Sequence, residues 1–321
     1  MISIIVPSVR TRTVADTIAA ILAQTDTDWE LIISDQSGTD SILSILNDFS
    51  DSRIRRIPCP GRGASQARNF GILHARGDIL AFTDDDCRPR PDWVSTIRHL
   101  FDEDPELWMA TGSLVAAQGS IRGLTCGTGY VPQERRAKPS EGGGRVYSVT
   151  ANAAYRRLAF ERAGPFDICL SPGTEFFGGE EDDHGRRMEL FNPVLLQTPH
   201  LEVEHTHGMR VGLQAVWELS RKYAVSVGAV AGKVTLLSGE GKMLVWAETR
   251  LATTGVFRRS PVSTARSMFR AYFVWKGYHR VLKYYSVDKN LRLLIPNGMT
   301  VETLYEPIHT LLDYHLPLAA A

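Results

Sequence analysis

The residues most able to do chemistry sit in Phe82-Thr83-Asp84-Asp85-Asp86. Ile79-Leu-Ala-Phe82 reads as a short buried strand, so three successive carboxylates emerge at its carboxyl end. Like charges packed this closely are costly unless hydrogen bonds or a cation compensate. In open α/β sheets, ligands bind at the carboxyl ends of the strands. Hard cations such as Mg²⁺ or Mn²⁺ take one or two carboxylates together with substrate phosphates. The plainer reading is a solvated acidic turn. An EF-hand is excluded because the D-x-D-x-D-G spacing is missing. A phosphatase-type nucleophile after the first strand is excluded because Pro7-Ser8 stands there. A second acidic run follows two glycines, Gly178-Gly179-Glu180-Glu181-Asp182-Asp183-His184. Acids at a helix N-terminus are favoured by the helix dipole. The same run can also hold a general base near a hydroxyl.

Three weaker signals accompany these. Asp35, in Ser34-Asp35-Gln36-Ser37, follows another buried strand. It can accept hydrogen bonds from a nucleobase or ribose, or simply close an Asx-turn. Gly61-Arg62-Gly63 leads into a helical run with Arg68 and Asn69. Such a loop suits phosphate approach, and Arg68 can pair with a phosphate or a site acid. Glu204-His205-Thr206-His207 places both histidines on one face of an extended segment. One of them can reach a metal, or both can be structural.

The elements that must carry these residues are legible from periodicity. Ile2–Val6, Trp29–Ile33, Ile54–Ile57 and Ile79–Phe82 are apolar strands. They alternate with helical patterns over Thr13–Gln24, Ser41–Phe49 and Ala64–Ala75. That alternation predicts a parallel sheet with helices on both faces. Gly112 to Arg145 is glycine-rich and reads as a long loop, suited to a lid. Val194–Val203 reads as extended, and from Met209 the pattern is mainly helical. Residues 1–208 are expected to form the catalytic domain, with a ligand-binding half over 1–100 and a second half over 101–208. Residues 209–321 are expected to form a helical region.

Composition bounds the function. Apolar residues make up 43% and charged residues 22%, enough for a full core. Lys plus Arg equals Asp plus Glu at 36 each, so no global charge favours nucleic acid. Cys59, Cys87, Cys126 and Cys169 are scattered, which fits a reducing cytoplasm rather than a disulfide framework. No leader pattern or span of about 20 apolar residues is seen.

Taken in order, the motifs resemble glycosyltransferase family 2. They are Ile4-Ile5-Val6-Pro7-Ser8, Ile32-Ile33-Ser34-Asp35-Gln36-Ser37, Ala67-Arg68-Asn69 and Gly77 through Asp86. Pro91-Asp92-Trp93, Ala151-Asn152-Ala153-Ala154-Tyr155-Arg156-Arg157 and Gly164-Pro165-Phe166-Asp167 follow. The resemblance implies a GT-A fold and inverting transfer from a nucleotide-diphosphate sugar, UDP-linked by preference, to a carbohydrate or lipid-linked acceptor. Envelope or extracellular polysaccharide synthesis is the implied setting, at the cytoplasmic side or the inner membrane face. It also implies roles. Pro7, Ser8, Arg10, Asp35, Ser37, Arg68, Asn69, Asp84, Asp85 and Asn152 would line the nucleotide-sugar site. Asp86, with Asp84 and either His205 or His207, would serve a Mn²⁺ or Mg²⁺ ion. The family usually has Glu-Asp where this chain has Glu180-Glu181, so Glu181 inherits the role of base. A register slip of one residue would pass it to Asp182.

A nucleotidyltransferase would need a glycine-rich, basic N-terminal loop where this chain has Pro7-Ser8-Val9-Arg10, and a plain binding protein would need no base. Residues 265–285 read as an amphipathic helix with Ala271, Val274, Trp275, Tyr278, Val281, Leu282 and Tyr285 on one face. That face either docks on the catalytic domain or meets an anionic membrane.

Overall fold

The computed structural model describes residues 1–117, 124–125, 129–142, 145–206, 209–210, 212–254 and 261–313. The first half alternates as expected: β1 (Ile2–Ser8), α1 (Thr11–Leu22), β2 (Trp29–Asp35), α2 (Ser41–Leu46), β3 (Ile54–Pro58), α3 (Ala64–His74) and β4 (Ile79–Phe82). Then come β5 (Cys87–Pro89), α4 (Trp93–Glu103), β6 (Leu107–Ala116), β7 (Leu124–Thr125), β8 (Arg135–Ala137), β9 (Ala153–Arg156) and α5 (Arg157–Ala163). The acidic run opens α6 (Glu180–Glu189), followed by β10 (Val194–His205) and β11 (Met209–Arg210). The rest is α7 (Leu213–Ser238), α8 (Gly241–Thr254), α9 (Pro261–Tyr284), β12 (Tyr285–Asp288), β13 (Leu293–Pro296) and α10 (Val301–Leu304), ending in a 3-10 segment, Glu306–Leu312.

The main sheet runs β3-β2-β1-β4-β9-β6-β10-β5, with β8 also on β10. Strands β3, β2, β1 and β4 are mutually parallel, as are β6 and β10. Strand β9 enters antiparallel between β4 and β6, and β5 and β8 are antiparallel to β10. Alternation divides β1 between two cores. Ile2, Ile4 and Val6 face Val14 and Ile18 of α1 and Val94 and Ile97 of α4. Ile5 faces Ile72 of α3 and the rings of Phe82, Tyr155, Phe160 and Phe166. His184 of α6 lies among those rings, stacked on Phe160 with centroids 4.6 Å apart. Its Nε2 meets the Gly164 carbonyl oxygen at 3.1 Å. Burial, and then the charge of Arg187, holds its pKa well below the ordinary imidazole range.

The structure departs from the sequence reading in two places. Strand β6 continues through the glycine-rich stretch to Ala116, and β8 forms beyond it on β10. Gly112 is needed there because a Cβ would lie 2.0 Å from the Leu201 carbonyl oxygen of β10. Much of the expected lid (118–123, 126–128 and 143–144) lies outside the described residues. The C-terminal region contains a hairpin, β12 paired antiparallel to β13, where helix was expected. Asp288 accepts hydrogen bonds from the Asn290 and Leu291 amides and so closes its turn.

The amphipathic helix follows the docking alternative. It ends at Tyr284; Val274 and Tyr278 are buried with Ala224 of α7 and Val245 of α8, and Val281 is buried with Leu170 and Phe176 of the preceding region as well as Ala229 and Val230 of α7. Trp275 donates to Thr249 of α8 at 2.9 Å, while Leu282 is exposed. The apolar face offered for a membrane is thus covered by protein. The crossing is close enough to exclude side chains: a Cβ on Gly277 would lie 2.0 Å from the Val225 carbonyl oxygen of α7. Among the described residues, no helix is long and apolar enough to cross a membrane.

Two tests follow from this packing. Gly277→Ala should lower unfolding free energy by about 1–3 kcal/mol, the usual cost of overpacking, in urea titrations; an unchanged midpoint would contradict the α7–α9 contact. His184 is neutral when folded, so the unfolded chain takes up its proton first as pH falls. Stability should therefore fall below about pH 6.5, by up to about 1.4 kcal/mol per pH unit. His184→Gln should flatten that slope between pH 6.5 and 5, and an unaltered slope would contradict the assignment.

Candidate active site

The three aspartates after β4 go to three destinations. Asp85 turns back into the loop after β1. Its Oδ2 accepts from Ser8 Oγ at 3.0 Å and from the Val9 and Arg10 amides at 3.1 Å each. Burial pushes its carboxyl up, opposed by the Arg10 guanidinium and these amides. Asp84 turns toward α3 and accepts from Arg68 Nη2 at 2.9 Å. Asp86 turns toward β10, with His205 Nε2 at 3.3 Å from its Oδ1 and Arg10 Nη1 on its Oδ2. Its main-chain oxygen accepts from the Thr206 amide at 2.9 Å and the Thr206 hydroxyl at 2.8 Å.

This placement follows from register. Strand β5 begins at Cys87 directly after Asp86, and Cys87 pairs with His205 across the antiparallel β5–β10 ladder. One ligand atom each from Asp86, Cys87 and His205 fall within 4.8 Å of one another. A carboxylate oxygen and an imidazole nitrogen suit a divalent cation, whereas burial, then the charges of Asp84 and Asp86, pushes the Cys87 thiol well above its ordinary range and keeps it a weak ligand. Of the two candidate histidines, His205 is placed beside Asp86, and His207 lies outside the described residues.

Arg68 links the two acidic runs. It is 2% exposed and spans from Asp84 to Glu180, where Nη1 donates to Oε1 at 3.0 Å. Among the described residues, Glu180 Oε2 and Arg68 Nε are buried without a hydrogen-bond partner. Burial, then the neighbouring charge of Glu181, pushes the Glu180 carboxyl well above the ordinary range, against the pull of Arg68. Gly179 enters α6 at φ 102°, where a Cβ would strike Val230 of α7 at 2.7 Å. Glycine therefore lets α7 lie directly on the start of α6.

The four acids of α6 are sorted by helix geometry. Glu181 Oε1 accepts from the Thr150 amide at 3.1 Å and the Thr150 hydroxyl at 2.9 Å. Asp182 is engaged on both oxygens, by Arg145 at 3.2 Å and Arg186 at 3.1 Å. Asp183 is buried on Arg187 and Lys233. A cavity of about 370 Å³ is lined by Asp84, Arg68, Glu180, Glu181, Asp182 and His205, and on its other side by Phe177 and α7.

Other expected ligands have different work. Asn69 spends its side-chain amide on the Phe166 main chain, at 2.8 and 2.9 Å. Asn152 accepts from Trp93 Nε1 at 2.8 Å and donates to the Ser113 and Leu201 carbonyl oxygens. Both are wholly buried and brace the main chain behind the site. Asp35 is buried and paired with Arg56 Nε at 2.7 Å, and it closes the expected Asx-turn on the Ser37 amide at 2.8 Å. It and Ser8 are register partners, with Pro7 opposite Ser34, at the strand ends where Asp84 also emerges. Sequence reasoning missed Thr150, Cys87 and the cavity-lining part of α7. Adjacency to Asp86 could have pointed to Cys87, whereas Thr150 and α7 carry no local signal.

Known proteins resemble this chain in sequence and in fold. The glycosyl transferase family 2 profile matches residues 3–164. The chain is 36% identical over 88 residues to Escherichia coli UDP-Glc:alpha-D-GlcNAc-diphosphoundecaprenol beta-1,3-glucosyltransferase WfgD, covering 27% of this chain and 35% of that protein. It is 29% identical over 103 residues to the Haloferax volcanii glucosyl-dolichyl phosphate glucuronosyltransferase, covering 32% and 33%. The match thus spans about a third of the length of either relative. Among solved structures, the Pyrobaculum calidifontis mannosyltransferase PcManGT in complex with GDP-Man and Mn²⁺ aligns with a TM-score of 0.57 at 14% identity, over 87% of this chain and 86% of that one. S. aureus TarS 1-349 in complex with UDP-GlcNAc aligns with a TM-score of 0.51 at 12% identity, over 94% and 97%. These two likenesses show the GT-A fold, and the profile match establishes that the chain belongs to glycosyltransferase family 2.

Proposed function

We propose that the chain transfers a sugar, with inversion, from a nucleotide-diphosphate sugar to an acceptor hydroxyl, assisted by a divalent cation. The observation that carries this is the shared cavity, whose walls bring Asp84, His205 and Glu181 together with Arg68, which pairs with Asp84 and Glu180. Asp86 and His205, with Cys87 beside them, are the residues that would hold the cation. A cation held there supplies positive charge against a diphosphate leaving group. Arg10 and Arg68 add positive charge on the same side.

Glu181 is the base in this reading. Both Thr150 bonds fall on Oε1, which fixes the carboxylate and leaves Oε2 to meet a hydroxyl. Glu181 takes the acceptor proton, and the oxygen so exposed bonds to the anomeric carbon. The bond from that carbon to the diphosphate oxygen breaks, and its electron pair leaves with the nucleotide. A single displacement requires no covalent enzyme intermediate. Asp182, held on both oxygens by arginines, is the poorer base, and this favours the register in which Glu181 carries the role. A UDP-sugar is the favoured donor and a lipid-linked or polysaccharide acceptor the favoured partner, at the cytoplasmic face of a membrane. The support is that WfgD uses UDP-Glc and a diphosphoundecaprenol acceptor, the Haloferax enzyme acts on glucosyl-dolichyl phosphate, and TarS binds UDP-GlcNAc.

The test is hydrolysis and transfer of UDP-glucose with Mn²⁺. Glu181→Gln should lower kcat by about 10²–10⁴-fold, the usual worth of a general base, with donor affinity nearly unchanged. Asp86→Ala should weaken donor binding as well as turnover. Near-normal turnover in both variants would contradict the reading.

A further inference from the structure

Lys233 lies within the most apolar stretch of the later part of the sequence, Tyr223 to Leu237. A lysine there would ordinarily extend its stem and keep the ammonium in water. Instead it is 1% exposed. Its Nζ lies 2.7 Å from Asp167 Oδ2 and 2.5 Å from Asp183 Oδ1. Asp183 Oδ2 in turn meets Arg187 Nη2 at 3.0 Å. Two acids and two bases therefore balance in charge with almost no water contact. The remaining acceptor capacity of Asp167 is met by the Cys169 amide at 2.9 Å and the Leu294 amide at 2.8 Å. Arg187 donates onward to the carbonyl oxygens of Ala163 and Pro165. This network ties α7, α6, the segment after α5 and β13 to one another.

Taking ions out of water costs several kcal/mol each even after relaxation, and apolar replacements are often no less stable. Stability alone is thus a weak reason for the cluster, and its position supplies a better one. Asp183 stands two residues after Glu181 and three after Glu180, within one turn of α6. Arg68 holds Glu180, and Lys233 holds Asp183. Two anchors on the inward face fix the rotation of α6 about its axis, so Glu181, about 100° away from Glu180, is aimed at the cavity. The same helix that supplies Lys233 lies on Gly179 through Val230 and lines the cavity with Tyr223, Ser226 and Val227.

We propose that Lys233 is a positioning residue of the active site: from α7 it sets the aim of Glu181 and makes the C-terminal helices a working wall of the transfer cavity. This rests on the reading of Glu181 as base. Through Val230 and Lys233 the spacing between the base and the acceptor side of the cavity is held by one helix, so the C-terminal region acts in the chemistry without touching the reacting atoms.

Two variants of the full chain test this. Lys233→Met leaves two buried acids with one base, so its melting temperature should fall. Lys233→Met/Asp167→Asn removes both halves of one ion pair, leaves Asp183 on Arg187, and should recover most of that loss. The double variant should nevertheless show amide exchange over 180–189 about tenfold faster than wild type, with α1 and α3 unchanged. Its kcat for UDP-glucose hydrolysis with Mn²⁺ should remain down about 10²-fold while KM moves by less than about threefold, as for a misplaced catalytic group. Recovery of kcat together with melting temperature would reduce Lys233 to a structural ion pair and overturn the proposal. So would unchanged exchange over 180–189 in both variants. Wild-type protein that fails to turn over UDP-glucose would count against the proposed donor, and the exchange comparison would still decide the role of Lys233.

Discussion

Three carboxylates on consecutive residues cannot be left in one place, and the site is organised around separating them. Asp85 is absorbed by the main-chain amides of the loop after β1 and by Ser8. Asp84 is neutralised by Arg68. Asp86 is directed to the β5–β10 ladder, where a histidine and a cysteine join it. The separation depends on backbone register, because β5 starts at the residue after Asp86 and immediately pairs with β10. A cluster that would otherwise be an electrostatic liability becomes a loop anchor, an arginine clamp and a candidate cation ligand.

The same logic governs α6. Four acids at a helix start are tolerated by the dipole, but each also receives a separate partner. Arg68 takes Glu180, Thr150 takes Glu181, Arg145 and Arg186 take Asp182, and Lys233 with Arg187 takes Asp183. Arg68 belongs to both acidic runs, so Asp84 and Glu180 share a single buried guanidinium. Arginine suits this position because its planar fork serves two carboxylates at once and stays charged when buried.

Much of this was legible in the sequence. The alternating strands and helices of the first 82 residues, the strand-end aspartates and the pairing of Arg68 with a site acid all follow from local pattern. What was not legible depends on long-range placement. Asn69 and Asn152 sit inside family motifs, yet their amides are consumed by main-chain groups far away in sequence. The antiparallel entry of β9 and the hairpin β12–β13 have too few residues for periodicity to separate them from their surroundings. Lys233 appeared only as an interruption of an apolar run, because its two partners lie 66 and 50 residues upstream at Asp167 and Asp183.

The account stands most directly on the claim that the three strand-end aspartates have separate jobs. Mn²⁺ binding to the purified chain, followed by electron paramagnetic resonance, measures this without any sugar substrate. Asp86→Asn and His205→Ala should each weaken Mn²⁺ binding by about 10–100-fold, and Asp85→Asn should lower thermal stability while leaving Mn²⁺ affinity nearly unchanged. Equal loss of affinity from Asp85→Asn and Asp86→Asn, or no loss from either Asp86→Asn or His205→Ala, would contradict it.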